Sequence, residues 1–227
     1  MAVLAIGLSG CFGDTEQAEP SDSTSGSVEQ PADNADNPTG EESSDEADKD
    51  STAKKRPKEK TDTIELEGNK ESFHFTLYWI PALQFSTYIP DDLVVTASED
   101  GIFNVCANFA GKKNEDAKVV FYEPVKAAET TVEKQAEAMQ QSLESKGFEV
   151  SQSTSDAPKR FALSEKEFYV VKQQDNGHIL GTAMVFQHRD LVYRVLVQYP
   201  EEFEEGFVPR VVKMFEDIVW YDQALQK

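Results

Sequence analysis

Two cysteines and three histidines carry most of the reactive chemistry available to this 227-residue chain. Cys11 closes the run Leu8-Ser9-Gly10-Cys11, a branched apolar residue and two small ones before a thiol, behind an uncharged apolar segment from Met1 to Gly7. Cys106 falls inside an alternating stretch with Asn104 and Asn108 on its own face. A lone thiol in such a strand is expected as a small core side chain, not as a nucleophile beside a histidine. His74, His178 and His188 show neither the i, i+4 helical spacing nor the short strand spacings of a zinc site. His178 and His188 share one predicted hairpin, where they either meet a metal or stay solvated, and solvation is the simpler expectation. The nucleophile elbow Gly-x-Ser-x-Gly is absent, and the single Gly-Ser pair, Gly26-Ser27, lies in a polar tract. Glu201-Glu202 and Glu204-Glu205 flank the start of a predicted helix, where the macrodipole favours negative charge. Neither a glycine-rich phosphate loop nor an Asp-x-Asp-x-Asp-Gly calcium loop occurs. The sequence therefore assigns no catalytic residue, no metal ligand and no cofactor.

Aromatic side chains with a polar tip suit interfaces better than catalysis. Tyr78, Trp79, Tyr88, Tyr122, Trp220 and Tyr221 are too many to share one core. Trp79-Ile80-Pro81 ends a strand at an expected surface turn, which makes Tyr78, Trp79 and Tyr88 the candidate binding patch. The alternative is that Trp79 seals one end of the core.

Leu8-Ser9-Gly10-Cys11 resembles the lipobox of bacterial lipoproteins, whose cysteine receives a diacylglyceryl group and becomes the mature N-terminus. The resemblance implies lipidation of Cys11, with fatty acyl chains such as palmitate, and a tether on the extracytoplasmic face of the cell membrane. Phe12 replaces the Asp that favours inner-membrane retention, so in a two-membrane cell the implied destination is the outer membrane. The first ten residues are too few to span a bilayer, which takes about 20 apolar residues. A secretory signal also has a basic n-region, and none precedes this one. The expectation is an upstream in-frame Met that supplies it.

Residues 1–11 are thus read as the signal remnant and lipobox, 12–61 as a disordered acidic spacer, and 62–227 as one folded domain. The spacer is Ser, Thr, Pro, Asp and Glu with Phe12 and Val28 as its only large apolar residues, too few to offset the entropy of ordering. Its fourteen acidic and six basic residues contribute −8, leaving −12 of the net −20 to the domain. A flexible spacer of this length has an r.m.s. reach of roughly 40 Å. The basic run ending in Lys54-Lys55-Arg56-Pro57-Lys58-Glu59-Lys60 reads as a solvated junction. Nucleic acid is not expected as a partner, because phosphate binding wants a basic face.

The domain alternates apolar and polar residues with period two. Phe73, Phe75, Leu77 and Trp79 share one strand face; Leu83, Phe85, Thr87 and Ile89 share another. Pro90-Asp91-Asp92 turns into Leu93–Ala97, and Ser98-Glu99-Asp100-Gly101 into Ile102–Ala110. A turn over Gly111 to Asp116 precedes Val119–Tyr122. Val125, Ala128, Val132, Ala136, Met139 and Leu143 then form a helical stripe of about five turns, stopped by Gly147. Strands follow at Glu167–Lys172, Ile179–His188 and Leu191–Tyr199. Phe207, Val211, Phe215 and Ile218 mark a terminal helix, with Pro209 in its first turn. Ile179–Phe186 is apolar on both faces, so helices must cover the sheet on both sides. The fold class is α+β: a mainly antiparallel sheet of about seven or eight strands covered by helices. With Cys11 spent on lipid, Cys106 has no disulfide partner and stability rests on packing.

The order of elements resembles a family. Tyr88-Ile89-Pro90-Asp91-Asp92, a mid-chain helix, Phe168-Tyr169-Val170, Gly177-His178, Leu191-Val192-Tyr193, Tyr199-Pro200-Glu201-Glu202 and a helix ending Met214-Phe215-Glu216-Asp217-Ile218 look like the Mog/PsbP-like α/β/α sandwich. The resemblance spans most of Ser72 to Trp220 and carries no matched functional residue. The expected function is a membrane-tethered, non-catalytic factor that binds a protein or envelope component. Two alternatives stand beside it: a ligand-binding lipoprotein with a small-molecule cleft, and an envelope enzyme with polar residues converging from different strands.

Overall fold

The computed structural model describes residues 56–96, 102–153 and 159–221. Cys11, the lipobox, most of the acidic tract and the expected turn at 98–101 lie outside them. The first strand, β1 (Glu59–Leu66), starts inside the stretch that the sequence assigns to the spacer. Its opening Glu59-Lys60-Thr61-Asp62-Thr63 has no apolar residue to announce it; ladder hydrogen bonds and ion pairs hold it instead. Glu67 and Gly68, both at positive φ, turn the chain tightly into β2 (Asn69–Ile80).

After a 3-10 turn at Pro81–Leu83, β3 (Phe85–Pro90) is buried along its whole length. β1, β2 and β3 form an antiparallel sheet completed by the last strand of the chain, β12 (Val219–Trp220), in the order β1-β2-β3-β12. The other sheet has eight strands, and every described pair in it is antiparallel. β4 (Leu93–Thr96), β5 (Phe103–Phe109) and β6 (Lys112–Phe121) run from one edge. β11 (Leu191–Pro200), β10 (Gly177–His188), β9 (Lys166–Gln174) and β8 (Glu149–Gln152) continue to the other. β7 (Val125–Lys126) pairs with the start of β11. The α+β class with a large antiparallel sheet is what the alternation predicts; the separate four-stranded sheet is not.

The two helices start elsewhere than expected. α1 spans Val132–Ser145, because Thr131 caps it by accepting the Lys134 N–H at 3.3 Å. Val125 and Lys126, expected in its first turn, extend along β11 instead. Gly147 does stop the helix: at φ 85° it allows the Gly147 and Phe148 amides to bond back to Glu144 and Leu143. α2 spans Glu204–Glu216, so Pro209 stands inside the helix rather than in its first turn. A 3-10 turn at Glu201–Phe203 winds up the chain before Pro209 is reached. The expected turn over 111–116 is shorter, with Ala110 and Gly111 at positive φ leading straight into β6.

The large sheet separates two apolar layers. Val132, Ala136, Met139 and Leu143 of α1 pack on Val120, Phe168, Ala183, Val185, Val192 and Leu196. On the other face, Phe207, Val211, Met214 and Phe215 of α2 meet Phe121, Met184, Phe186, Val195 and Val197, with Phe85 and Ile89 of the small sheet. β10 is therefore covered on both faces, as its composition demands. At Gly181 a Cβ would run into the Val197 carbonyl oxygen, so β10 and β11 lie this close only around glycine.

One buried cation joins the layers. Arg210 of α2 is 8 % exposed. Its Nε and Nη2 both donate to Asp92 Oδ2 at 2.7 Å, and Nη1 donates to the Gly206 carbonyl. The guanidinium lies between the rings of Phe73 and Phe109, 4.6 and 4.8 Å from their centroids. Asp92→Ala would strand this charge and is expected to cost about 3 kcal/mol of unfolding free energy in urea. Replacing both, Asp92→Leu with Arg210→Met, should cost less than the single change. A larger loss in the double variant would show that the pair itself is not what matters.

Candidate functional site

A partly enclosed concavity lies where the Lys159–Ser164 segment, the C-terminal half of α2 and β12 meet. A buried carboxylate shapes it. Glu167 is 4 % exposed at the start of β9. Its Oε1 accepts the Arg160 N–H at 2.5 Å, and its Oε2 accepts the Phe161 N–H at 3.1 Å and lies 2.7 Å from Ser164 Oγ. Lys159 Nζ donates to the Ser164 carbonyl at 2.8 Å. Paired with three donors, the carboxylate is a template around which the segment folds, and this offsets the cost of burying it.

The segment so held turns Phe161 into the core against Phe215, ring centroids 5.0 Å apart, and sets Leu163 toward α2. Arg160 lines the concavity, and its guanidinium is anchored beyond it: Nη1 donates to Tyr199 Oη at 2.5 Å and Nη2 to Glu204 Oε1 at 2.8 Å. Burial pushes the Tyr199 phenol up to about 12, so it stays protonated at neutral pH. Val212, Phe215 and Ile218 form the facing wall, with Trp220 at the end and Glu216 on the rim. The volume is about 300 Å³, at the lower end of small-molecule sites. The described lining holds no Ser, Thr, Cys or His. Apolar walls with an ion-paired arginine and a rim carboxylate can seat an apolar group.

Trp220 is fixed by neighbours of both sheets. Phe85 meets it edge-on at 5.3 Å, Tyr193 lies at 5.1 Å, and the His188 imidazole stacks on it at 4.0 Å and 15°. Tyr221, next in sequence, carries the Trp79 ring at 5.2 Å.

The structure does not gather Tyr78, Trp79 and Tyr88 into one patch. Trp79 is exposed (43 %) and Tyr78, its neighbour on the opposite face of β2, packs against the main core. Tyr88 is buried; its hydroxyl donates to the Pro57 carbonyl at 2.8 Å, and Arg56 and Lys60 lie over its ring at 4.4 and 4.8 Å. The cover is the basic run that the sequence reads as a solvated junction.

The histidines are dispersed. His178 and His188 stand at opposite ends of β10, about 33 Å apart at strand rise, so they do not share a metal. His178 faces Glu201 at 3.4 Å, and His74 lies 2.7 Å from Asp91. No group of three metal-ligating side chains forms among the described residues. Cys106 is buried, its Sγ 3.5 Å from Thr96 Oγ1. No described helix is long and apolar enough to cross a membrane. The chain matches no protein-family model and no curated protein.

Sequence reasoning passed over Glu167 and Arg160, and it named Trp220 only among the aromatics too many to share one core. A Glu opening a strand looks solvated, and only the return of the Lys159–Ser164 segment buries it.

Desolvation, and then Arg189 next to it, hold the His188 pKa below its ordinary 6.5. The unfolded chain takes up that proton near 6.5, so the contribution is fully present above this pH and is lost as pH falls below it. His74 works the other way: the hydrogen bond to Asp91 raises its pKa, so its contribution is present at low pH and lost as pH rises. The stability of the wild type relative to His188→Phe should therefore drop between pH 7.5 and 5, measured by urea unfolding. A constant difference across that range would dismiss the effect.

Proposed function

We propose that this protein is a lipid-anchored factor of the bacterial cell envelope, whose domain binds a protein or envelope component without catalysis and assists its assembly or maintenance. The domain is proposed as a Mog/PsbP-like α/β/α sandwich. Supporting that, α1 lies on one face of the large sheet and α2 on the other. The tether rests on the resemblance of Leu8-Ser9-Gly10-Cys11 to a lipobox, with Cys11 as the residue that would carry the lipid.

The preformed apolar cleft at Trp220 carries the binding reading. A side chain or acyl group inserted there would displace water from Leu163, Val212 and Ile218. The same cleft favours a second reading, a small-molecule ligand, because it has apolar walls with few polar groups. Reaction chemistry is the weaker assignment, since the described lining supplies no Ser, Thr, Cys or His beside Glu216.

Two measurements test the proposal. Metabolic labelling with a clickable fatty acid should tag the wild type and leave Cys11→Ser unlabelled; equal label in both would remove the tether. For the cleft, the uncharged probe N-phenyl-1-naphthylamine should fluoresce with the full chain. Val212→Arg or Leu163→Asp should weaken it at least tenfold, with unchanged circular dichroism. Undiminished fluorescence in both variants would place binding elsewhere.

A further inference from the structure

We infer, on the reading that the Trp220 cleft is the binding site, that the cleft carries its own regulator: protonation of His188 unseats Trp220 and weakens the hold on an apolar guest. β12 has only two residues, and Trp220 is the second of them. Its backbone pairs with Phe85, while its ring depends on what it leans against. The His188 imidazole, at the last position of β10, covers one face of the indole, centroids 4.0 Å apart and planes at 15°. Phe85 and Phe186 meet the indole edge-on at 5.3 and 6.3 Å, and Tyr193 lies tilted at 5.1 Å. Among the described residues the imidazole is thus the one ring that lies flat on it. The same imidazole keeps its Nε2 buried without a hydrogen-bond partner.

Nothing around His188 is arranged to hold a cation. Arg189 and Asp190 follow it in the turn, and Lys126 of β7 stands opposite Leu191. Glu165 and Lys166 lie where β9 begins, with Glu165 accepting the Gln187 N–H at 2.7 Å. Of the charges lining the cleft, Arg160 is paired with Glu204 and Glu216 is on the rim. The Tyr193 hydroxyl donates to the Leu83 carbonyl, and burial pushes the Tyr221 phenol up to about 12, so neither offers an anion. Among the described residues no carboxylate bonds to His188, and both burial and Arg189 disfavour its charged form.

A neutral imidazole tolerates a bare Nε2 in this place. An imidazolium sets a charged N–H among apolar rings with no acceptor. Its attraction to the indole face offsets part of that cost, but the donor is satisfied only when the ring swings out to water. Trp220 then loses its flat support, and the cleft its end wall. An apolar guest packed on Trp220 excludes water from beside the pair and so favours the neutral, stacked form. Guest and proton therefore oppose each other: affinity is full above the His188 pKa, which stands below 6.5, and falls as the pH drops through it.

Trp79→Phe leaves Trp220 as the sole tryptophan of the full chain. Its emission should change with a midpoint below pH 6.5, and adding His188→Phe should abolish the change. N-phenyl-1-naphthylamine, uncharged across this range, should bind the full chain about fivefold more weakly or worse at pH 5 than at pH 7.5, with unchanged circular dichroism. With His188→Phe the two affinities should be equal. If that variant does not fold, NMR of the wild-type His188 ring serves instead: saturating probe should lower the pH at which the ring titrates. Binding at pH 7.5 that survives Val212→Arg would remove the cleft and the switch with it. Binding that needs Val212 but is equal at both pH values, that weakens as much with His188→Phe, or that leaves the His188 titration unmoved would overturn the switch alone.

Discussion

Arg210 is the contact on which the arrangement of layers depends. From one turn of α2 it reaches Asp92 in the turn between β3 and β4, Phe73 on β2 and Phe109 on β5. Those residues belong to both sheets, so one side chain sets the position of the helix against each. Apolar packing of Phe207, Val211 and Met214 supplies more area, yet it is non-directional and would tolerate sliding. A guanidinium between two rings with its donors engaged tolerates little. The site follows from this placement, because the facing wall of the cleft is the far end of the same helix.

Glu167 does for the cleft what Arg210 does for the layers. Both are buried charges that fix the place of a backbone segment against its neighbours. The Lys159–Ser164 segment contributes Phe161 and Leu163 to the core only because two of its amides and Ser164 are satisfied at one carboxylate. A third cluster secures β1: Lys60 bridges Asp62 and Asp217, and Lys213 bonds Asp62. These contacts hold the Asp62 carboxyl well below the usual carboxylate range. Secondary structure in this domain is set by apolar alternation, and tertiary placement by a few charges.

That division explains what the sequence disclosed. The strands β2, β3, β5, β9, β10 and β11 were legible, because alternation or a wholly apolar run leaves a local signature. So was Gly147, whose role depends on its own φ. β1 was not legible, since Lys60 and Asp62 have value only through Asp217 and Lys213, more than 150 residues away. The same holds for Tyr88, which looks like a surface aromatic until Arg56 and Pro57 are laid across it. Val125 belonged to a helical stripe by spacing, but its pairing with Val192 prevailed. As for the cleft, its walls come from segments about 50 residues apart, and no local pattern joins Leu163 to Val212.

The order β1-β2-β3-β12 has a consequence in time. Three strands of the small sheet are made first and its fourth is made last, with the entire large sheet and both helices between. Arg56 expresses the same closure, donating to Ser86 on β3 and to the Asp217 carbonyl at the end of α2. A ribosome or a secretion channel that delivers the N-terminus first releases β1 to β3 without α2 to pack on or β12 to pair with. Closing so long a loop late is entropically slow. The domain therefore remains unlocked, and threadable through a narrow pore, until almost its last residue has emerged.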